Sequence, residues 1–295
     1  MKRITDCWSV LVVLFAIGFW LPSHVAAADL FEADWGSGTI YKFTPSGTKS
    51  TFASGLFDPT ALAFDASGNL FETDFNFGKI YEFTPSGTKS TFVSGLNDPW
   101  GLAFDANGNL FEADFNSNSS TINEFTPSGT KSIFASGLNY PTALAFDANG
   151  NLFEADFGTG TIHKFTPSGT KSTFATGLDK PEFLAFDSSG NLFESDWGSS
   201  TIYEFTPGGT KSTFASGLDE PMGLAFDASG NLFEADSGSG TIYEFTPGGT
   251  KSIFAIGLSY PVGLAFYPIP EPSILILLGI GAISLAAYGW QRRAK

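Results

Sequence analysis

Carboxylates are the groups in this chain whose spacing is best suited to chemistry. They recur in a repeated phrase, Leu-Phe-Glu-x-Asp, first as Leu30–Asp34 and then at five further places. In an extended strand the Glu and the Asp lie on the same face, because side chains alternate between faces. Hard divalent cations prefer carboxylate oxygens, so one interpretation is a set of cation sites, with calcium as the ion to consider.

A structural role is the interpretation that we favour for these acids. We expect each Glu to pair with hydroxyls or with the Lys found in every copy, Lys89 in the second. We expect each Asp to accept hydrogen bonds from turn amides. The nearby turn Asp65–Asn69 lacks the alternating acids and the distal Glu of a calcium loop. The sequence thus predicts no metal ligands and no cofactor, with bound calcium as the alternative.

Histidines offer little for catalysis in this sequence. His24 lies in the N-terminal leader, and His163 stands where four other copies have Tyr. We interpret His163 as a packed aromatic substitute. The sequence shows no Ser-His-Asp set and no phosphate loop. We therefore predict no catalytic residues.

The elements that position these residues follow from a repeat of 40 to 42 residues. Turn residues divide each copy into four short runs, which we name strands A to D. In the second copy they are Ala61–Asp65, Leu70–Asp74, Ile80–Thr84 and Ser90–Ser94. Four short antiparallel strands per repeat make one blade of a propeller. The copies begin at Leu30, Leu70, Leu110, Leu152, Leu192 and Leu232.

The two ends of the repeated region predict a closed ring. The first copy starts at a strand B, and the last run, Val262–Tyr267, is a strand A with nothing after it. Pairing these orphan strands completes a sixth blade. The predicted fold is therefore all-β, a six-bladed β-propeller of four-stranded antiparallel blades over residues 29–267. Four Phe positions per copy supply the surfaces that neighbouring blades bury.

The repeat resembles the NHL-type six-bladed propellers, a group that includes the streptogramin lyases and the gluconolactonases of the SMP-30 type. The matching pattern is Gly-Leu-Ala-Phe-Asp-Ala-Asn-Gly-Asn-Leu-Phe-Glu-Ala-Asp at 101–114. One departure recurs, since a Glu such as Glu32 stands where the family usually has an aliphatic residue. The resemblance implies that strand A lines the central channel. It also implies a His-Glu pair at the channel in a lyase, which the sequence does not place, and asymmetric metal ligands in a lactonase.

Sequence variation between the copies collects in the B-C and D-A turns, which share one face of the predicted ring. The residue after each D-A proline would ring the channel mouth there. Indole rings stack on sugars, and polar groups bond hydroxyls, so this face is the candidate ligand site. The alternative is that surface loops drift without a function. The candidate residues are Thr60, Trp100, Thr142, Glu182, Met222, Val262, Trp35 and Trp197.

The N-terminal segment, residues 1–28, is typical of a secretory signal peptide. Lys2 and Arg3 precede the apolar run Val10–Trp20, and the small residues Ala26–Ala28 follow. An uncleaved anchor is the alternative, but the run is short for a membrane span. The only cysteine, Cys7, lies in this segment, so the mature chain would have no disulfide.

The C-terminal segment, residues 268–295, resembles the PEP-CTERM sorting signal. Pro270, Glu271 and Pro272 precede an uncharged run at 274–290, which predicts a transmembrane helix. Arg292 and Arg293 follow, which indicates a cytoplasmic C-terminus. The resemblance implies export from a Gram-negative bacterium, processing by an exosortase and a link to surface polysaccharide or matrix.

The charge of the repeated region excludes one class of partner. It carries 10 Lys, no Arg and 28 acidic residues, so a nucleic-acid backbone would be repelled. The sequence favours an exported, surface- or matrix-associated propeller that binds glycan or envelope components without catalysis. The alternatives are a lactonase- or lyase-type enzyme with its site in the channel, and a structural spacer.

Overall fold

The structure is a computed structural model that describes residues 27–116 and 120–268. In these ranges the chain forms 24 strands, arranged as six four-stranded antiparallel sheets. Blade one contains β1 (Leu30–Asp34), β2 (Thr39–Phe43), β3 (Lys49–Ser54) and β24 (Pro261–Phe266). Blade two contains β4 (Pro59–Phe64), β5 (Leu70–Asp74), β6 (Lys79–Phe83) and β7 (Lys89–Ser94). Blade three contains β8 (Pro99–Phe104), β9 (Leu110–Asp114), β10 (Thr121–Phe125) and β11 (Lys131–Ser136).

The remaining three blades continue the same order. Blade four contains β12 (Pro141–Phe146), β13 (Leu152–Asp156), β14 (Thr161–Phe165) and β15 (Lys171–Thr176). Blade five contains β16 (Pro181–Phe186), β17 (Leu192–Asp196), β18 (Thr201–Phe205) and β19 (Lys211–Ser216). Blade six contains β20 (Pro221–Phe226), β21 (Leu232–Asp236), β22 (Thr241–Phe245) and β23 (Lys251–Ile256).

The A-B hairpin turn is closed by its own aspartate. In blade two, Asp65 Oδ1 accepts hydrogen bonds from the amides of Ser67 at 2.9 Å and Asn69 at 2.7 Å. Gly68 adopts a φ of 82°, a left-handed conformation that glycine takes without strain. The Asp65 carboxylate is therefore occupied as a turn-forming acceptor, as the turn interpretation predicts.

The hydrophobic core lies between the blades. Phe31 of β1 contacts Phe52 and Phe64 edge to face, with ring centroids 5.0 and 5.1 Å away. The same cluster contains Leu70 and Phe83 of blade two, and both side chains are almost completely buried. Equivalent Phe triads recur around the ring. Each blade thus covers one face of its neighbour, which explains why the phrase is repeated.

The inner A strands approach one another so closely that three of them need glycine. A Cβ at Gly101 would lie 2.0 Å from the carbonyl oxygen of Thr142 in the next blade. A Cβ at Gly223 would lie 2.1 Å from the carbonyl oxygen of Val262. A Cβ at Gly263 would lie 2.1 Å from the carbonyl oxygen of Thr60. The third residue of these strands therefore has to be glycine for the A strands to lie this close together around the channel.

Strand β24 closes the ring on β1. The register pairs Leu30 with Phe266 and Glu32 with Leu264, and the Tyr267 amide donates to the Asp29 carbonyl at 2.9 Å. The predicted fold class and the predicted closure are confirmed.

Several sequence predictions lie outside the described residues. They concern residues 1–26 of the signal peptide, the sorting residues Pro270, Glu271, Pro272, Arg292 and Arg293, and the helix at 274–290. In the two described ranges, no helix has the length and apolar character needed to cross a bilayer.

Candidate functional site

The B-C and D-A turns lie on one face and are bonded to each other. The Phe75 amide donates to the Asp58 carbonyl at 3.2 Å. The strand-B aspartate joins both turns, because Asp74 accepts from the amides of Phe57 at 2.9 Å and Phe77 at 3.1 Å. The prediction that the repeated Asp bonds turn amides is confirmed. This carboxylate fixes the backbone from which the variable side chains project.

The prediction that the repeated Glu pairs with the invariant Lys is wrong. Glu72 is fully buried between blades, and neither of its carboxyl oxygens has a hydrogen-bond partner. Lys89 instead lies at the exposed outer strand, with its Nζ 4.4 Å from the centre of the Tyr81 ring. The ammonium stays in solvent because its strand forms the outer edge of the blade. Burial raises the pKa of Glu72 well above its usual value.

Five of the eight predicted site residues line one pocket at the channel mouth. Its volume is about 340 Å³. It takes in all three Trp side chains that the structure describes. The lining residues are Trp35, Trp100, Phe157, Lys180, Glu182, Trp197, Met222 and Tyr260. Residues from five blades therefore meet in a single cavity on the variable face.

The other three predicted residues lie beneath this surface. Thr60 and Thr142 are fully buried, and their hydroxyls donate to carbonyls of the next blade, Trp100 O at 3.2 Å and Pro181 O at 2.9 Å. Val262 is fully buried in an apolar cluster that includes Trp100 and Met222. These three residues hold neighbouring A strands together and do not line the pocket.

Trp100 forms the floor of an aromatic cluster. Its ring centroid lies 5.7 Å from that of Trp35, 5.5 Å from Phe75 and 5.2 Å from Phe115. The indole is about nine-tenths buried, and its Nε1 has no acceptor among the described residues. An indole N–H usually finds a partner when it is buried. Trp100 thus brings a largely buried apolar ring to the pocket lining, and its N–H has no acceptor among the described residues.

Glu182 supplies the polar side of the pocket. It is buried, and its Oε2 has no partner among the described residues. Burial raises the pKa of Glu182 to about 8, and the charge of Lys180 opposes that rise. The Lys180 ammonium lies 4.3 Å from the centre of the Trp197 ring. Burial, together with Glu220, raises the pKa of Tyr260 to about 12, so its hydroxyl stays protonated at neutral pH.

The sequence contains a pattern that points to the aromatic residues of the pocket and that the prediction did not use. The residue after each strand-B Asp is aromatic in five copies, and Phe157 of the pocket is one of them. The sixth copy has Ser237, which is buried and donates to the Pro261 carbonyl. The five aromatic members are Trp35, Phe75, Phe115, Phe157 and Trp197.

His163 is more than a packed aromatic substitute. Its Nδ1 lies 2.8 Å from Glu154 Oε2, inside blade four. The ring also contacts Phe165 edge to face at 6.4 Å. This His-Glu pair sits on β13 and β14, the middle strands of the blade, and neither residue lines the mouth pocket.

A family model for the PEP-CTERM protein-sorting motif matches residues 268–293. This motif marks proteins that are exported and sorted by exosortase in Gram-negative bacteria. No curated protein matches the chain in sequence.

Solved structures resemble the propeller at low sequence identity. One, a nidogen/laminin complex, has a TM-score of 0.75 and 20% identity, covering 82% of this chain and 98% of that chain. Virginiamycin B lyase from Staphylococcus aureus has a TM-score of 0.62 and 17% identity, and the match covers 77% of this chain and 81% of the lyase chain. A putative gluconolactonase has a TM-score of 0.63 and 19% identity, and the match covers 72% of this chain and 82% of that chain. The likeness establishes the fold alone. The chain is an exported six-bladed β-propeller with a PEP-CTERM sorting signal, anchored in the membrane before it becomes surface-associated.

Proposed function

We propose that the protein is a non-enzymatic binding protein of the cell surface or matrix. Its mouth pocket holds a sugar ring of an envelope polysaccharide. The observation that carries this proposal is the pocket itself, which is lined by three Trp rings and by the buried Glu182.

The chemistry of the lining suits a sugar. A pyranose presents an apolar C–H face, which stacks on indole, and a rim of hydroxyls that both donate and accept. Trp100 Nε1 and Glu182 Oε2 are buried without partners, so a ligand hydroxyl at either atom would satisfy it. Lys180 and Tyr260 add further donors at the rim. The pocket volume of about 340 Å³ lies in the range of small-ligand sites.

The pocket also breaks the sixfold pattern of the ring. After the D-A proline, blade five has Glu182 where blades two and four have Thr60 and Thr142. The pocket gathers its walls from unlike positions, so it provides one site per ring instead of six equal ones. This predicts a stoichiometry of one sugar segment per protein chain.

A Trp197→Ala substitution tests the proposal. Trp197 is partly exposed and its loss removes one stacking surface, so we expect affinity for oligosaccharides from the producing bacterium's own envelope to fall about tenfold or more. Calorimetry of the purified protein measures this. Phe77→Ala is the matched control, because Phe77 is 54% exposed on the same face and does not line the pocket.

Two outcomes would overturn this proposal. One is equal affinity of the Trp197→Ala and wild-type proteins, with both folded by melting curves. The other is no binding of any envelope glycan by the wild type, which would favour the structural spacer.

An enzyme of the lactonase or lyase kind is the second candidate, and Glu182 is the observation that favours it. A carboxyl with a pKa of about 8 is mostly protonated at neutral pH and suits a general acid. Glu182→Gln separates the two functions. It would abolish turnover of a lactone or glycan substrate if the protein is an enzyme, whereas a binding protein shows no turnover in either form.

A further inference from the structure

We propose that blade four binds a divalent transition-metal ion through Glu154, Asp156 and His163. Ligand atoms of these three residues lie within 4.8 Å of one another, and all three residues are buried. Metal–ligand bonds to such groups are about 2.0–2.2 Å long, so small side-chain rotations bring the three atoms onto one ion. This site is separate from the mouth pocket and does not depend on the proposed function.

The donor set indicates the class of ion. Calcium and magnesium take oxygen ligands, whereas imidazole nitrogen suits zinc and the other transition metals. One imidazole with two carboxylates therefore favours an ion such as Zn²⁺ or Mn²⁺. The site differs from the repeated acids of the other blades because a nitrogen ligand is present only here among the described residues.

Each of the two carboxylates keeps acceptor capacity for an ion. Glu154 is fully buried, and its Oε1 has no hydrogen-bond partner. Asp156 is held in place by its neighbours, since its Oδ2 accepts from the Asn139 amide at 2.8 Å and its Oδ1 from the amide and the hydroxyl of Thr159 at 3.0 and 2.7 Å. Its Oδ2 therefore keeps one lone pair for an ion. Such supporting bonds orient metal-binding carboxylates.

The other blades show what the same position does without a metal ligand. Four of them place a Tyr opposite the strand-B Glu. Blade three places Asn123, whose Nδ2 donates to Glu112 at 2.8 Å and to Asp114 at 3.2 Å. An amide can only donate to those carboxylates through its nitrogen, whereas an imidazole nitrogen can offer a lone pair beside them. Blade four is thus the one described blade in which this position adds a third ligand.

The test uses the full-length chain, purified in detergent with an affinity tag that contains no histidine. After dialysis against chelator, Zn²⁺ and Mn²⁺ are titrated separately, and bound metal is measured by equilibrium dialysis with elemental analysis. We expect one equivalent of at least one ion in the wild type. We also expect that ion to raise the melting temperature by several degrees, because it binds the folded state.

His163→Tyr and His163→Asn are the matched variants, because each installs the residue that another blade already carries. Both should fold as the wild type, lose the equivalent of metal and show no metal-dependent shift in melting temperature. His24 remains in both variants, so a loss assigns the metal to His163. The proposal is overturned if the wild type binds neither ion at 100 times the protein concentration, or if His163→Tyr binds as much metal as the wild type.

Discussion

A single aspartate at the end of each strand B governs the geometry of the variable face. Asp196 is almost fully buried, and it accepts from the amides of Asp179 at 2.8 Å and Ser199 at 2.9 Å. These two amides belong to the turns that carry Lys180 and Trp197. The position of two pocket side chains therefore depends on one carboxylate that does not line the pocket.

Asp196→Ala should both destabilise the protein and weaken the pocket. Hydrogen bonds to a charged group contribute about 1.5–3 kcal/mol each, so we expect the free energy of unfolding to fall by at least 2 kcal/mol or so. Ligand affinity should fall with it. Melting curves and calorimetry measure the two effects.

Asp74→Ala in blade two is the control for this prediction. It removes the same pair of bonds from turns that carry no pocket-lining residue. It should lower stability to a similar degree and reduce ligand affinity less than Asp196→Ala does, because Phe75 reaches the pocket only through its contacts with Trp35 and Trp100. Equal losses of affinity in both variants would show that Asp196 acts through general stability alone.

At the scale of the element, strand B is unusual because it buries two carboxyl groups in every blade. Its Glu is fully buried in every blade, and in four blades both carboxyl oxygens lack partners. Burial raises the pKa of these groups, so the folded protein keeps protons that the unfolded chain gives up. The contribution of these Glu residues to stability is thus greatest at acidic pH. It decreases as pH rises above about 4.5, the ordinary value, toward the raised values of the folded state.

Glu72→Met should raise stability and weaken this pH dependence. The side chain keeps a similar length but no longer buries an unpartnered carboxyl, which costs about 1–3 kcal/mol. We expect the melting temperature at pH 7 to rise by roughly 2–4 °C per kcal/mol gained, with a larger gain at pH 9. Melting curves from pH 5 to pH 9 test this.

The control is Glu82→Met on the adjacent strand β6, where the carboxyl is only half-buried. It should change the melting temperature little at any pH. A gain that is the same at pH 5 and pH 9 for Glu72→Met would contradict the linkage argument.

Strand patterns predict the elements well and the contacts between elements less well. The predicted strand Leu70–Asp74 is β5 itself, because turn residues bound it on both sides. Alternation also places Glu72 correctly on a covered face. It cannot place Lys89 relative to Glu72, because that distance depends on which strand forms the outer edge. Trp100, Glu182 and Met222 line the pocket, and the sequence pointed to them because each follows a proline that begins a strand A.

The rest of the site depends on packing around the ring. Thr60 and Thr142 occupy the same position as Trp100, but their short side chains bond the next blade before they reach the pocket. Phe157 enters from a B-C turn in another blade. Such convergence depends on the curvature of the closed ring, which a linear pattern does not specify.

The whole molecule depends on one strand that joins its two ends. Without β24, blade one keeps three strands and β1 exposes an unpaired edge. Unpaired edges invite pairing with other chains. The closing strand therefore stabilises the ring and protects it from aggregation.

Truncation after residue 260 should destroy this closure. We expect loss of a single cooperative melting transition and formation of aggregates, measured by calorimetry and light scattering. A chain that ends at residue 268 is the control, and its propeller should melt as in the full-length protein. Cooperative melting of the shorter chain as a monomer would show that the ring does not need β24.

The direction of β24 sets how the protein is presented to its surroundings. The strand starts beside Tyr260 at the pocket face and ends at Phe266 on the opposite face, next to the start of β1. Because the sorting motif begins at residue 268, any tether to the bilayer leaves from this opposite face. A tether that leaves from this face does not cover the pocket.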